Sequence, residues 1–218
     1  MITSLQDALS EIYALGGPVV MLLLAVSVLT VALVLYKVWQ FHAARVGQHH
    51  HLTLAVEAWD HGDRAQAQAE AGRSKSYLAP VLKLALDGQG QTAQSDRADA
   101  EAEARFAGLE RGLGTLDLVA QLAPLLGLFG TVLGMIEAFQ KLQTAGSSVD
   151  PSLLAGGIWV ALLTTAAGLA VAMPASLLLN WLSARMQRER IFANRALRVV
   201  FAPQAAAAEP ELRVANGG

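Results

Sequence analysis

Three long apolar stretches, separated by polar segments, dominate the pattern of the chain. They cover residues 18–36, 118–136 and about 153–182, and none of them contains a charged side chain. A bilayer core about 30 Å thick is crossed by roughly 20 apolar residues in a helix, so each stretch is long enough to span it. The pattern therefore predicts an all-α membrane protein with three transmembrane helices.

The segment between the first and second spans has a different, helical pattern of apolar positions. Its clearest stripe recurs at i, i+3, i+4, i+7 and i+8 and consists of Leu78, Val81, Leu82, Ala85 and Leu86. Ser95 has a side chain suited to a helix N-cap, and no proline separates it from the second span. We therefore expect a helical loop whose last helix runs unbroken from about residue 96 to 143.

These patterns divide the chain into seven segments. We expect an N-terminal segment at 1–17, spans at 18–41, 117–138 and 153–183, a helical loop at 42–116, a link at 139–152 and a tail at 184–218. The tail becomes rich in alanine after Pro203 and ends in two glycines, so we expect disorder from about residue 203.

Charged residues predict how these segments are oriented. The third span is followed by Arg185, Arg188, Arg190, Arg195 and Arg198, whereas the link contains a single lysine. Because basic residues concentrate on the inner side of a membrane, we expect the loop and tail inside, and the N-terminal segment and link outside. Asp7 and Glu11 precede the first apolar run, so it is expected to remain as a span and not to be removed as a signal peptide.

Composition narrows the classes of function. Only 16% of the 218 residues are charged and the net charge is −2, so nucleic-acid binding has no support. The chain has no cysteine, which excludes disulfides and thiolate metal sites. The loop contains His42, His49, His50, His51 and His61. Adjacent side chains on a helix do not converge on one ion, so we expect no metal site and no cofactor.

The second and third spans contain small residues that a simple lipid anchor does not need. Gly127, Gly130 and Gly134 repeat along the second span, and Gly168 lies in the third. Small residues at these spacings let helix backbones approach closely, so we expect these faces to hold copies of the chain together. Pro124 and Pro174 each remove one helical hydrogen bond, which permits a bend where neighbours satisfy the freed carbonyl.

No ionisable side chain lies at the centre of any predicted span, so the chain has no proton carrier of its own. The polar groups of the second and third spans are hydroxyls and amides, which do not ionise at physiological pH and so cannot hold and release a proton. Thr131 and Thr165 lie on helix faces rich in small residues. Two interpretations stay open: the hydroxyls line a polar path, or they only bond back to the carbonyl one turn earlier.

Two stretches resemble the MotA/TolQ/ExbB proton-channel family. Residues 123–135, APLLGLFGTVLGM, are similar to its second-span motif. Residues 154–158, LAGGI, and 161–175, ALLTTAAGLAVAMPA, are similar to its third-span motif. The order of the motifs, the short link and the three-span layout resemble the ExbB/TolQ branch over nearly the whole chain.

The resemblance implies a ring of five copies whose inner wall consists of the second and third spans. It implies a single-span partner of the ExbD/TolR type, whose intramembrane aspartate carries the proton past Thr131 and Thr165. It also implies a periplasm-spanning partner of the TonB type, which receives the work and energises transport at the outer membrane. The implied location is a bacterial inner membrane, with the loop and tail in the cytoplasm.

One position departs from the pattern of the family. The ExbB branch often has a glutamate four residues before the threonine pair, and Val160 occupies that place. An accessory carboxylate therefore cannot act there. Three alternatives remain beside the ExbB-type motor subunit: a TolQ-like subunit for envelope integrity, a non-conducting membrane scaffold, and a membrane enzyme, for which no nucleophile–base pair is present.

Overall fold

The computed structural model describes residues 2–88, 92–144 and 151–204, and within them every regular element is a helix. The helices are α1 (Ile2–Ala43), α2 (His50–Asp60), α3 (Arg64–Arg73), α4 (Ala79–Asp87), α5 (Thr92–Glu110), α6 (Leu113–Thr144) and α7 (Pro151–Phe201). Residues 145–150 of the predicted link and residues 205–218 of the predicted disordered tail lie outside the described ranges.

Three of these helices are long and apolar enough to cross a membrane. The qualifying segments are Gly17–Ala43, Leu113–Thr144 and Leu154–Phe201. Large apolar side chains on all three are exposed, among them Leu29, Leu125 and Leu177. Such an exposed apolar surface suits contact with lipid and not with water. The prediction of an all-α membrane protein with three spans is confirmed.

The first span begins at a break within α1. Gly17 has φ 62° and ψ −163°, a conformation that glycine adopts without the strain a Cβ would cause. Pro18 follows, and its missing N–H is tolerated at the start of a helix. The glycine–proline pair therefore separates a preceding helical segment from the span.

The prediction of one unbroken helix from residue 96 to 143 is wrong. α5 ends at Glu110, and α6 begins at Leu113. Between them Gly112 has φ 90°, in the left-handed region that commonly ends helices. The predicted cap is wrong as well, because α5 already begins at Thr92 and Ser95 lies inside it.

The chain forms two compact units. We call the first, Met1–Tyr36 with Gly112–Trp181, the span unit, and the second, Lys37–Arg111 with Leu182–Gly218, the loop unit. In the span unit a small apolar core joins α1 to α6 and α7 through Val19, Leu23, Ala123 and Ala172. This core fixes the first span against the pair of helices that carry the predicted threonines.

The loop unit is built on the apolar stripe predicted from the sequence. Leu78, Val81, Leu82, Ala85 and Leu86 are all buried. With Leu52 of α2, three of these residues line a small cavity together with Phe192, Ala193, Ala196 and Leu197 of α7. The Trp59 indole N–H donates to the Val200 carbonyl over 2.8 Å, which anchors α2 to α7 as well.

A buried polar cluster crosses the same unit. The Glu189 carboxylate of α7 is 2% exposed, accepts from the Tyr77 hydroxyl over 2.9 Å and lies 3.0 Å from His49 Nε2. The His49 ring stacks on Phe192 with 4.0 Å between centroids. Burial, reinforced by the nearby Glu189 carboxylate, raises the pKa of Tyr77, so this phenol stays a donor to the carboxylate.

Charged side chains of α5 also have partners in the loop unit. Arg190 of α7 lies 2.6 Å from the Glu103 carboxylate and 2.9 Å from that of Glu110. The Glu70 carboxylate accepts from His51, and this hydrogen bond lowers the pKa of Glu70. Within the described residues, no group of three histidines or carboxylates gathers at metal-binding distance.

Candidate functional site

The backbones of α6 and α7 come into direct contact in the span unit. A Cβ at Gly168 would lie 2.5 Å from the Ala123 carbonyl oxygen and 3.0 Å from the Gly127 Cα. A Cβ at Gly127 would lie 2.9 Å from the Thr164 carbonyl oxygen and 3.0 Å from the Thr165 Cα. Real Cβ atoms do not approach backbone atoms this closely, so the contact requires glycine at both positions.

The contact continues along both helices in an antiparallel register. Gly130 faces the Thr164 side chain, Gly134 faces Ala161, and Gly157 faces the Ala138 methyl group. The facing positions on α6 run from Ala123 to Ala138, a length of about 22 Å at the rise of an α-helix. The two helices therefore touch over much of the thickness of a bilayer core.

The expectation that Gly127, Gly130, Gly134 and Gly168 hold copies of the chain together stays a prediction, and within one chain these residues pack α6 against α7. Each of them faces the other helix of the same chain, and Gly127, Gly130 and Gly168 are buried there. The spacing of the glycines indicates a close helix contact, but it carries no information about which helix is the partner.

Thr164 is the buried hydroxyl of this contact. Its side chain is 2% exposed, and Oγ1 lies 2.7 Å from the Ala161 carbonyl and 3.1 Å from the Gly127 carbonyl. The first acceptor belongs to its own helix and the second to α6. One hydroxyl proton is therefore shared between a bond back along α7 and a bond across to α6.

The two predicted path threonines differ in their hydrogen bonds. Thr131 is half-buried, and its hydroxyl donates to the Leu128 carbonyl over 2.6 Å. Thr165 is half-buried too, and its hydroxyl has no hydrogen-bond partner in the described ranges of the chain. In a single chain the Thr131 hydroxyl therefore bonds back to its own helix, as one of the two interpretations expected. The Thr165 hydroxyl can still form a hydrogen bond with a group of another molecule.

The two prolines lie inside unbroken helices. Pro124 is half-buried in α6, next to Ala123, and Pro174 is exposed in α7. Each removes one N–H donor from its helix, so the carbonyl four residues earlier loses its usual partner. The exposure of Pro174 leaves room for a neighbouring group at that point of α7.

A cavity of about 630 Å³ lies in the span unit beside the α6–α7 contact. Its lining includes Gly130, Gly134, Gly156 and Gly157. Val160, which occupies the place of the glutamate in the ExbB pattern, lines it as well. So does Thr164, which carries the buried hydroxyl. Among the residues that the structure describes, Glu137 and Lys141 are the charged ones that line the cavity, and they form an exposed ion pair of 2.8 Å.

A family model described as MotA/TolQ/ExbB proton channel family matches residues 69–193, more than half of the chain. The chain belongs to this family. The match contains the whole antiparallel contact between α6 and α7, together with Thr131, Thr164 and Thr165.

Relatives carry the names of both ExbB and TolQ proteins. A biopolymer transport protein ExbB homolog of Methanothermobacter thermautotrophicus is 31% identical over 183 residues, which cover 82% of this chain and 64% of that protein. Biopolymer transport protein exbB1 of Vibrio cholerae is 52% identical over 64 residues, or 29% of this chain and 28% of that protein. Tol-Pal system protein TolQ of Haemophilus influenzae is 42% identical over 78 residues, or 36% and 34%.

These alignments span less than two thirds of each relative's own length. Together with the family match they identify the chain as a multi-pass membrane protein of the ExbB/TolQ branch of the proton-channel family. The names of the relatives cover two different systems, so they do not separate an ExbB role from a TolQ role.

Sequence reasoning missed the part that Thr164 plays. The sequence predicts no function for Thr164. Consecutive residues of a helix lie about 100° apart, so Thr164 points away from the Thr165 face, and its hydroxyl turns towards α6. A usable signal was present, because Gly127 and Gly130 lie at the spacing of one helix face and imply that something projects into it.

We predict that Gly168→Ala destabilises the span unit by about 1–3 kcal/mol, since its methyl group must displace the Ala123 carbonyl or push α6 away. Gly156→Ala is the matched control on the same helix, because a Cβ there meets nothing within 4 Å. Thermal unfolding of both purified variants in one detergent provides the measurement. Equal stability of the two variants would contradict the contact.

Proposed function

We propose that this chain is the proton-channel motor subunit of an ExbB–ExbD–TonB-type complex in a bacterial inner membrane. Membership of the proton-channel family supports the class of function. The observation that carries the mechanism is the absence of any charged side chain in residues 118–136 and 153–182. A chain of a proton channel that lacks its own carrier requires one from a partner.

The partner in this proposal is a single-span helix of the ExbD/TolR type that supplies an intramembrane aspartate. Thr131 and Thr165 line its path, and the Thr165 hydroxyl is the better placed of the two, because no group in the described ranges of the chain occupies it. A periplasm-spanning protein of the TonB type receives the work. The chain itself performs no bond chemistry in this scheme and is not an enzyme.

We propose that five copies form a ring around the partner helices. Because the α6–α7 glycine faces are used within one chain, contacts between copies fall to other surfaces of the three spans. Exposed apolar side chains such as Leu122, Phe129 and Trp159 are available for them. Native mass measurement of the complex in mild detergent gives the number of copies, and a stable isolated monomer would count against a ring.

A TolQ-like role in envelope integrity is the second proposal. It rests on the 42% identity to the Haemophilus TolQ protein, which covers 36% of this chain. The two roles share the proton path and differ in the partner that receives the work. Affinity purification with the tagged chain distinguishes them, since co-purification of a TonB-type protein supports the first role and of Tol-system proteins the second.

We predict that the helical loop faces the cytoplasm and that the end of α6 at Thr144 faces the periplasm, as the arginines after the third span indicate. The chain has no cysteine, so single cysteines can be introduced as Gln68→Cys and Thr144→Cys, both at exposed positions. In intact cells an impermeant thiol reagent should label only the Thr144 variant from the periplasm. Labelling of the Gln68 variant under the same conditions would overturn the orientation.

We predict that Thr165→Val lowers partner-dependent proton flux at least tenfold, because valine keeps the shape of threonine but removes the hydroxyl. Thr131→Val should lower it less, since its hydroxyl is already bonded to the Leu128 carbonyl. The measurement is proton uptake by proteoliposomes containing the chain with its ExbD/TolR-type partner, and Thr144→Val is the matched control outside the path. Unchanged flux in both path variants would favour the non-conducting scaffold.

A further inference from the structure

We propose that Thr164 is a positioning residue for proton conduction, which sets the placement of the Thr131 and Thr165 hydroxyls relative to each other. The inference rests on the proposed function, since it assumes that these two hydroxyls line the path. It concerns a residue that the path itself does not use, because the Thr164 side chain is buried between the helices.

The first step in the argument is the acceptor that Thr164 reaches on α6. Its hydroxyl lies 3.1 Å from the Gly127 carbonyl. In an α-helix the carbonyl of residue 127 is also the acceptor for the N–H of residue 131. The oxygen that holds the backbone of Thr131 is thus the oxygen that the hydroxyl of Thr164 contacts. A shift of this bond moves Thr131 along or around α6.

The second step concerns α7. Thr165 is the next residue after Thr164, so the backbone that carries the buried hydroxyl also carries the path hydroxyl. The Thr165 Cα lies 3.0 Å from the position of a Cβ on Gly127. The positions of both path threonines therefore depend on the Gly127 peptide. Thr131 is hydrogen-bonded to it within α6, and Thr165 packs against it from α7.

The third step is steric. A Cβ at Gly130 would lie 2.7 Å from both Cβ and Oγ1 of Thr164. The Thr164 side chain therefore fills the space that Gly130 leaves, and it cannot rotate freely once the helices have packed. Packing restricts the Thr164 side chain, and its hydrogen bond prevents α6 from sliding along α7. Glycine faces alone resist such sliding weakly, because they have no side chains to interlock.

The fourth step is the environment. The hydroxyl also lies 2.7 Å from the Ala161 carbonyl, so loss of the Gly127 acceptor would still leave it bonded within α7. The cross-helix bond is therefore not needed to satisfy Thr164, and its function is to relate two helices. Hydrogen bonds between membrane helices have modest strength, which corresponds to changes of about three- to twentyfold in an equilibrium.

The experiment uses the full chain with its ExbD/TolR-type partner in proteoliposomes and compares two matched pairs, each differing by one hydroxyl. The first pair is wild type against Thr164→Val, and the second is Thr164→Ser against Thr164→Ala. In each pair we expect the member without the hydroxyl to show about three- to twentyfold lower proton flux at equal amounts of assembled complex. The second pair tests the same point if valine impairs assembly.

A variant with three substitutions separates positioning from general stabilisation. If Thr164 acts through the path hydroxyls, Thr164→Val should cause little further loss of flux once Thr165→Val and Thr131→Val are present. The thermal stability of the complex should still fall by the same amount in both backgrounds. If Thr164→Val lowers flux by the same factor in the chain that carries Thr165→Val and Thr131→Val, its role is merely structural and the inference is overturned. Equal flux within both matched pairs would overturn it as well.

The outcomes also distinguish this inference from the proposed function. If Thr131→Val and Thr165→Val leave flux unchanged, the proposed path is wrong and the positioning inference fails with it. If those variants lower flux while the Thr164 pairs show no difference, the path stands and only the positioning inference is overturned.

Discussion

The close approach of the α6 and α7 backbones is the constraint on which the rest of this protein depends. A Cβ at Gly168 or Gly127 would collide with backbone atoms of the facing helix, so the contact exists only because side chains are absent there. In lipid no hydrophobic effect drives two apolar helices together, and close packing with cross-helix hydrogen bonds has to replace it. The Thr164 hydroxyl adds such a bond, and α1 completes the core through Val19 and Leu23.

This arrangement determines what the chain can contribute to proton transfer. The helices that touch carry no charged side chain at mid-depth, and Val160 stands where a carboxylate is often found in the branch. In the proposed mechanism the chain therefore supplies a wall of hydroxyls and apolar groups around a carrier that comes from another chain. Two of the arginines after the third span have partners within the chain, since Arg190 pairs with two glutamates and Arg185 donates to the Val46 carbonyl. The same arginines that predict the membrane orientation therefore also stabilise the loop unit.

Much of the fold could be predicted from the sequence because the dominant signals were long and periodic. Uninterrupted apolar runs predict the spans, and the stripe from Leu78 to Leu86 predicts the buried face of α4. The break between α5 and α6 could not be predicted, because the sequence does not distinguish a glycine inside a helix from one that ends it. Gly112 lies at the break with a positive φ, whereas Gly114 lies inside α6. The glycine faces likewise predicted a close helix contact but not which helix is the partner. The hydrogen bond from Thr164 to α6 could not be predicted either, because it depends on the register of α6 against α7.

The most direct test of this account is a disulfide between α6 and α7. Gly134 and Ala161 face each other in the contact, with a Cβ at Gly134 lying 3.0 Å from the Ala161 Cβ, and the chain has no other cysteine. Gly134→Cys combined with Ala161→Cys should lose both free thiols on oxidation in membranes while the chain keeps its monomer mass on a denaturing gel. Each single variant, oxidised in parallel, should retain its thiol. Cross-linked dimers in place of internally bridged monomers would contradict the account, because they would place the contact between copies and not within one chain.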